Sequence, residues 1–250
     1  MTMEPSPIPI PGAPTPTGLL LIDKETGYTS MDVCAIVRTR LRRAGAPKRI
    51  KVGHGGTLDP LATGLLVILV GKATPLCNQI MAGEKEYLAT VDLSRTSDTD
   101  DEEGPTHPAV VAAPPTRDQL RAALATLTGT IQQRPPAFSA IKSGGRRAYD
   151  IARGGGEVDL PARPVSVHAI DLLDYTFPVC TLRIRCGKGT YIRSMARDLG
   201  PLLKTGGMLT ALHRTRIGQW SIDHARTLGT LPQQLTQADL LAVPPDALMP

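Results

Sequence analysis

Residues 53–71 read GHGGTLDPLATGLLVILVG. Six successive aliphatic residues, Leu65 to Val70, follow Gly64 with no polar residue among them. A run this short and this uniformly apolar, with glycine at both ends, fits a strand buried on both faces in the interior of a sheet. Ahead of it Asp59 precedes Pro60, and glycines stand at 53, 55, 56 and 64. Asp59 has two readings. Asp before Pro commonly starts a turn, with the carboxylate capping nearby backbone N–H groups. The glycines support the other: they let backbone or a ligand approach closely, and a loop anchored to a buried strand is a good mount for a reacting group.

The flanking sequence mixes short strands with a few helices. GLLLIDK (18–24) reads as a buried strand. TSMDVCAIVRTRLRRAG (29–45) reads as a helix opened by a Thr29-x-x-Asp32 capping box and stopped at Gly45. Its apolar stripe is Val33, Ile36, Val37 and Leu41, with the arginines on other sides. EYLATVDL (86–93) alternates Tyr87, Ala89, Val91 and Leu93 against Leu88, Thr90 and Asp92, as a half-buried strand does. A second capping box, Thr116-x-x-Gln119, opens a helix with Leu120, Ala123, Leu124 and Leu127 inward and Gly129 as its stop. Prolines force RPPAFSAIK (134–142) into an extended form. PVSVHAIDLL (164–173) and CTLRIRC (180–186) read as strands, GKG (187–189) as a turn, and TYIRSMARDLG (190–200) as a helix closed by Gly200. Without regular strand–helix alternation, this pattern predicts an α+β protein with a largely antiparallel sheet.

Residues 1–16 carry six prolines and no period, which predicts a disordered, polyproline-leaning tail. The 250-residue chain is 41% hydrophobic, enough to bury a sizeable core. It has no run of the ~18 to 20 apolar residues a membrane span needs and no signal-peptide order at its start. A cytoplasmic protein away from membranes is expected. The four cysteines form no C-x-x-C pair, and Cys180 and Cys186 share one strand, so packed, reduced thiols are expected. No two of the five histidines have the i, i+4 spacing of a helical metal site, and no metal is expected.

The net charge is +5, and setting aside the five acids of SDTDDEEG (97–104) raises the remainder to +10. Residues 38–51, RTRLRRAGAPKRIK, hold seven basic residues and no acid. Further basic residues follow at Arg146, Arg147, Arg183, Arg185, Lys188, Arg193 and Arg197, an electrostatic footprint suited to a nucleic acid. At 3% aromatic residues the chain is too poor in rings to stack many unpaired bases, so phosphates and shape supply most of the grip. The acidic block fails as an EF-hand, because loop positions 6 and 12 fall on Glu103 and Ala109. For most of its side chains a solvated loop is expected. GKGTYIRSMARD is neither a Walker A nor a G-x-G-x-x-G motif. Arg193 there reads either as a surface ion pair or as a residue facing an active site.

Taken together, GLLLIDKETGYTS, KVGHGGTLDPLATGLLVILVGKAT, KEYLATV, TSDTDDEEG, PPAFSAIKSGGRRAYDIARGG, RPVSVHAI, CGKGTYIRSMARDLG and LTALHRTRIGQW, in this order from about Gly18 to Trp220, resemble the TruB family of tRNA pseudouridine synthases. The resemblance implies the pseudouridine synthase fold, a largely antiparallel mixed central sheet flanked by helices. It implies isomerisation of uridine 55 in the tRNA T stem-loop, with no cofactor, no required protein partner and a monomeric enzyme. By position, Asp59 matches the catalytic aspartate, Tyr87 the tyrosine that packs on the target base, and Arg193 the arginine that pairs with the aspartate. Leu212 matches an apolar pocket wall, Tyr191 and Lys188 a pocket tyrosine and a nearby lysine, His54 the histidine that enters the T loop, and Lys24 a lysine supporting the catalytic region. Residues 17–232 correspond to the catalytic domain, and 233–250 are too short for the small RNA-binding PUA domain many members carry. The alternative is a non-catalytic RNA-binding or RNA-folding factor on the same scaffold.

Overall fold

The computed structural model describes residues 15–139, 141–143, 146–156 and 158–243. Most of the expected proline-rich tail, residues 1–14, and the last part of the C-terminal segment, 244–250, lie outside the described residues. In chain order the elements are β1 (Gly18–Lys24), α1 (Ser30–Arg43), β2 (Val52–His54), β3 (Thr63–Val70), α2 (Cys77–Ala82), β4 (Lys85–Asp92), β5 (Arg95–Ser97), β6 (Thr106–Pro108), α3 (Arg117–Thr126), β7 (Gly129–Gln133), β8 (Lys142–Ser143), β9 (Arg146–Arg147), α4 (Ala148–Arg153), β10 (Arg163–Thr176), β11 (Val179–Cys186), α5 (Ile192–Leu203), β12 (Met208–Ile217), β13 (Trp220–Ser221) and β14 (Arg226–Thr227). The chain divides into two compact units, Met1–Gly83 with His213–Pro250, and Glu84–Leu212. Strand β12 starts in the second unit and ends in the first. The fold is α+β with mixed sheet, and no helix among the described residues is long and apolar enough to cross a membrane.

In the first unit β3 is the central strand, buried at every residue but Thr63. It pairs antiparallel with β1, from Gly18↔Val70 to Lys24↔Gly64, and with β2, from Val52↔Val70 to His54↔Ile68. Near its start it also meets β12 in parallel, His213↔Thr63 and Arg214↔Gly64. Both faces of β3 are covered, which is why its sequence shows no alternation. On one face Leu19, Leu21, Leu65, Val67 and Leu69 pack with Ala73, Leu76 and Ile217, each large aliphatic contributing roughly 1.5–3 kcal/mol on burial.

Helix α1 starts at the expected capping box: Asp32 N–H donates to Thr29 Oγ1 (3.1 Å), and Thr29 N–H donates back to Asp32 Oδ2 (2.8 Å). Val33, Cys34, Val37 and Leu41 are buried, while Ile36 is half-buried. The arginines of α1 hold the chain as well as facing outward. Arg40 Nη1 donates to the carbonyls of Leu228 (2.8 Å) and Leu231 (3.1 Å), tying the helix to the chain that follows β14.

The second unit is an antiparallel ladder in the order β4, β11, β10, β7, with the start of β12 beside β4. Alternation along β4 is as read, with Tyr87, Ala89 and Val91 buried, and β11 is the expected strand, burying Cys180, Leu182 and Ile184. Asp92 departs from the expected outward phase. It is buried, and its carboxylate accepts from Ser94 N (2.7 Å), Ser94 Oγ (2.7 Å) and Arg95 Nε (2.9 Å). Burial opposes the charge, yet these hydrogen bonds, with the Arg95 guanidinium, hold the carboxyl below the ordinary aspartate value. Helix α3 carries the second capping box and buries Leu120, Ala123 and Leu124. Its last helical residue is Thr126, and Gly129 opens β7 instead of stopping the helix.

Helix α5 runs past the expected stop at Gly200, through Pro201, to a left-handed Lys204 (φ 57°). Gly200 is required for a different reason. A Cβ there would lie 2.9 Å from the Gly206 carbonyl oxygen and 3.0 Å from that of Thr205, so the glycine lets the returning chain pass against the helix.

Candidate active site

In the first unit the loop between β2 and β3 presents Asp59. Asp59 does start a turn: Ala62 N–H donates to its carbonyl (3.1 Å), with Pro60 at the second position, where its fixed φ suits a β-turn. The side chain is half-buried. Nearly every backbone carbonyl around it is held. Arg214 Nη2 donates to Gly56 O (2.9 Å), Nη1 to Thr57 O (3.2 Å) and Nε to Leu65 O (2.8 Å). Ser30 Oγ donates to Leu58 O (3.1 Å) and accepts from Leu58 N–H (2.9 Å). Pro60 O accepts from Gly27 N–H (2.9 Å) and Lys24 Nζ (3.4 Å). Lys24 is fully buried, and its ammonium also donates to Tyr28 O (2.8 Å) and Glu25 O (3.0 Å). Gly64 makes the approach of β12 possible. Its φ is +98°, and a Cβ there would sit 2.4 Å from the Arg214 carbonyl oxygen.

His54, at the end of β2, lies in the same unit. Desolvation, and then the Arg214 charge, push its pKa below the ordinary histidine value, which favours a neutral ring. Its Nδ1 is buried with no hydrogen-bond partner among the described residues. Thus Lys24, His54 and Asp59 are brought together in one unit, joined by two residues the sequence reading did not select, Ser30 and Arg214.

In the second unit three of the candidate residues, Lys188, Tyr191 and Arg193, lie in or next to the first turn of α5. Tyr191 is the residue before the helix, and its backbone is gripped by a buried glutamine: Tyr191 N–H donates to Gln133 Oε1 (2.8 Å), and Gln133 Nε2 donates to Tyr191 O (3.0 Å). The Arg163 guanidinium lies 5.5 Å from the Tyr191 ring centroid and donates to Gly189 O (3.0 Å), fixing the turn that exposes Lys188. Tyr87 is buried on β4 opposite Ile184, and Leu212 is buried on β12.

Arg193 is 5% exposed, which rules out the surface ion pair. Its Nη1 sits 3.2 Å from Asp101 Oδ2 and donates to Thr99 O (3.1 Å), and Nη2 donates to Phe138 O (3.1 Å). One turn later Arg197 pairs with Asp100 (2.8 Å) and Asp198 (2.9 Å). The expectation of a solvated acidic block is therefore corrected for its centre. Asp101 is fully buried and Asp100 nearly so, because two guanidinium groups on one face of α5 need counter-charges once packed. Only its flanks behave as read: Asp98 is exposed with His107 2.9 Å away, and Glu102 and Glu103 are exposed. The signal available in the sequence was the i, i+4 spacing of Arg193 and Arg197, which calls for two acids and does not say which.

Among the described residues no group of three or more His, Cys, Asp or Glu is placed to hold a metal ion. The free cysteines are Cys34, Cys77, Cys180 and Cys186; burial pushes the Cys34 thiol up to about 11 and that of Cys180 to about 12, which leaves both as unreactive thiols.

Comparison with known proteins gives concordant matches. The TruB family pseudouridylate synthase (N terminal domain) matches residues 42–192. That span includes His54, Asp59, Tyr87, Lys188 and Tyr191, and leaves out Lys24, Arg193 and Leu212. The tRNA pseudouridine synthase B of Streptomyces avermitilis is 45% identical over 231 residues, 89% of this chain and 75% of that protein. That of Paenarthrobacter aurescens is 46% identical over 225 residues, 88% of this chain and 70% of that one. Among solved structures, an H/ACA RNP bound to a substrate RNA containing 2'-deoxyuridine superposes with TM-score 0.62 at 26% identity, over 85% of this chain and 51% of that one. A Cbf5-Nop10-Gar1 complex gives TM-score 0.64 at 26% identity, over 88% of this chain and 58% of that one. The chain thus spans little more than half the length of these structural neighbours.

Proposed function

Because the chain belongs to the TruB family of pseudouridylate synthases, we propose that it isomerises uridine 55 in the T loop of tRNA to pseudouridine, with Asp59 as the catalytic residue. The observation that carries this reading is the Asp59 loop itself. One carboxylate stands on a turn whose carbonyls, residue after residue, are fixed by Lys24, Ser30 and Arg214. Such fixation suits a group that must meet one sugar carbon within a fraction of an ångström.

In this mechanism the target nucleotide leaves its stack, at a cost of a few kcal/mol. Tyr87 packs on the extruded uracil, which returns about 1–3 kcal/mol per base, and His54 enters the T loop where the base had been. A neutral imidazole suits that task, since it inserts among bases without carrying a charge into them. Asp59 acts at C1′ as the C1′–N1 bond breaks, the uracil turns, and C1′ joins C5. The proton lost from C5 is matched by one gained at N1, so the product is an isomer. By the family resemblance we assign to Arg193 the task of keeping the catalytic carboxylate ionised and oriented, to Leu212 and Tyr191 the contacts that hold the uracil, and to Lys188 a supporting contact beside them. No cofactor is required by this balance of atoms. The protein works in the cytoplasm on tRNA.

The ribonucleoprotein character of one structural neighbour supports a second reading, in which activity depends on a guide RNA and partner proteins. We favour a monomer acting alone, because the relatives of this chain at 44–46% identity are tRNA pseudouridine synthases B.

The test is pseudouridine mapping on an unmodified tRNA transcript with the purified protein and its Asp59→Asn variant. Modification at position 55 by the native protein is expected. The variant should lose at least about 10³-fold in single-turnover rate while its tRNA dissociation constant stays within about threefold. Tight binding without product by the native protein would favour the binding-factor alternative, and product only with added guide RNA would favour the second reading.

A further inference from the structure

We infer that Arg214 is a positioning residue for the Asp59 loop, a role that rests on the functional reading above and adds a residue to it. Arg214 is 1% exposed. Each of its three nitrogens donates to a backbone carbonyl, at Gly56, Thr57 and Leu65. Those three carbonyls bracket Asp59, two before it and one after. No described carboxylate forms an ion pair with Arg214.

Stability alone is a poor reason for such an arrangement. Burying a guanidinium without a counter-ion is costly, and an apolar side chain of similar volume commonly serves a core as well or better. What an apolar residue does not supply is geometry. The guanidinium is planar and rigid and offers donors in fixed directions, so three carbonyls bound to it are fixed relative to one another. Around a nine-residue segment, Thr57 to Leu65, this turns a flexible loop into one with tethered ends. The neighbouring residue adds a further tie, since His213 Nδ1 and Thr63 Oγ1 share a hydrogen bond of 2.9 Å. Strand β12 therefore clamps the loop in register with the start of β3, His213↔Thr63 and Arg214↔Gly64. Lys does not replace Arg here: one ammonium on a flexible stem does not hold three carbonyls at once in a fork.

The experiment compares Arg214→Lys and Arg214→Met with the native protein in three measurements: single-turnover pseudouridine formation, tRNA dissociation constant, and amide hydrogen exchange by segment. The expected result is a rate loss on the order of 100-fold in both variants, as for a misplacement of about 1 Å. The dissociation constant should stay within about threefold, and exchange should accelerate in residues 55–65 while β4, β10 and β11 stay protected. A native rate in Arg214→Lys, or unchanged exchange in residues 55–65, overturns the inference. So does exchange that accelerates throughout the chain, which marks a general structural role. Should the native protein make no pseudouridine, the functional reading fails by itself, and the exchange comparison still decides whether Arg214 holds the loop.

Discussion

Asp100 sets burial directly against charge. It is 8% exposed, and burial pushes its carboxyl up to about 6, against the pull of Arg197 and Arg193 and with a further push from Asp198. In the unfolded chain the same group titrates near 3.9. Between those values the folded state holds more protons than the unfolded one, so this group's contribution to stability falls as pH rises from about 4 to 6. Asp100→Asn removes the charge and keeps an oxygen for Arg197. It also suits the left-handed backbone here, φ 63°, which asparagine tolerates well. Thermal melts are expected to place the variant above the native protein at pH 8, on the order of 1 kcal/mol or 2–4 °C for a chain of this size. The difference should vanish near pH 4. A lower melting temperature at pH 8 would mean that the Arg197–Asp100 pair outweighs the burial of its charge.

At the scale of elements, α5 does most to place the second unit's site residues. Gln133 grips its first backbone groups, Arg193 and Arg197 project to the acidic loop, and Gly200 lets the chain from Thr205 to Gly207 return against it. Gly200→Ala puts a methyl group 2.9–3.0 Å from two carbonyl oxygens that have little room to move. The expected cost is about 1–3 kcal/mol, as for overpacking elsewhere, even though alanine is the better helix former. Because the strain enters two turns after Arg193, single-turnover activity should fall along with the melting temperature. Unchanged melting would show that the returning segment yields. The existence and type of α5 were legible in its apolar spacing. Its end was not, because a glycine that stops a helix and a glycine that admits a neighbouring chain look alike in sequence.

Across the whole molecule, the basic footprint divides by the kind of partner its residues find. Arg193 pairs with Asp101, and Arg197 with Asp100 and Asp198. In the run from Arg38 to Lys51, by contrast, Arg38, Arg40 and Arg42 donate to backbone carbonyls and Arg43 to Gln233, and none of the seven pairs with a described carboxylate. A carbonyl accepts a hydrogen bond without cancelling the charge, so this run keeps its positive field while the four arginines of α1 are held in place. Binding of tRNA should accordingly weaken steeply with salt, log K falling against log salt by about 0.9 for each duplex phosphate contacted. The slope should be the same for Asp59→Asn, whose change, in the proposed mechanism, lies at the sugar. A flat response measured by filter binding would remove these residues from the RNA interface.

The sequence by itself determined what rests on neighbours a few residues apart. Both capping boxes, the unbroken apolar run of β3, the alternation of β4, and the ordered blocks that mark the family were all readable, since period and spacing are local properties. The tertiary structure alone decided which groups share a buried environment. Arg193 meets the carbonyl of Thr99 across 94 residues, Arg197 meets Asp100 across 97, Gln133 meets Tyr191 across 58, and Arg214 meets Thr57 across 157. A buried charge or amide must be satisfied somewhere, so its presence can be suspected from sequence. The partner that satisfies it is selected by how the strands pair and the helices pack, and no residue carries that information in its own neighbourhood.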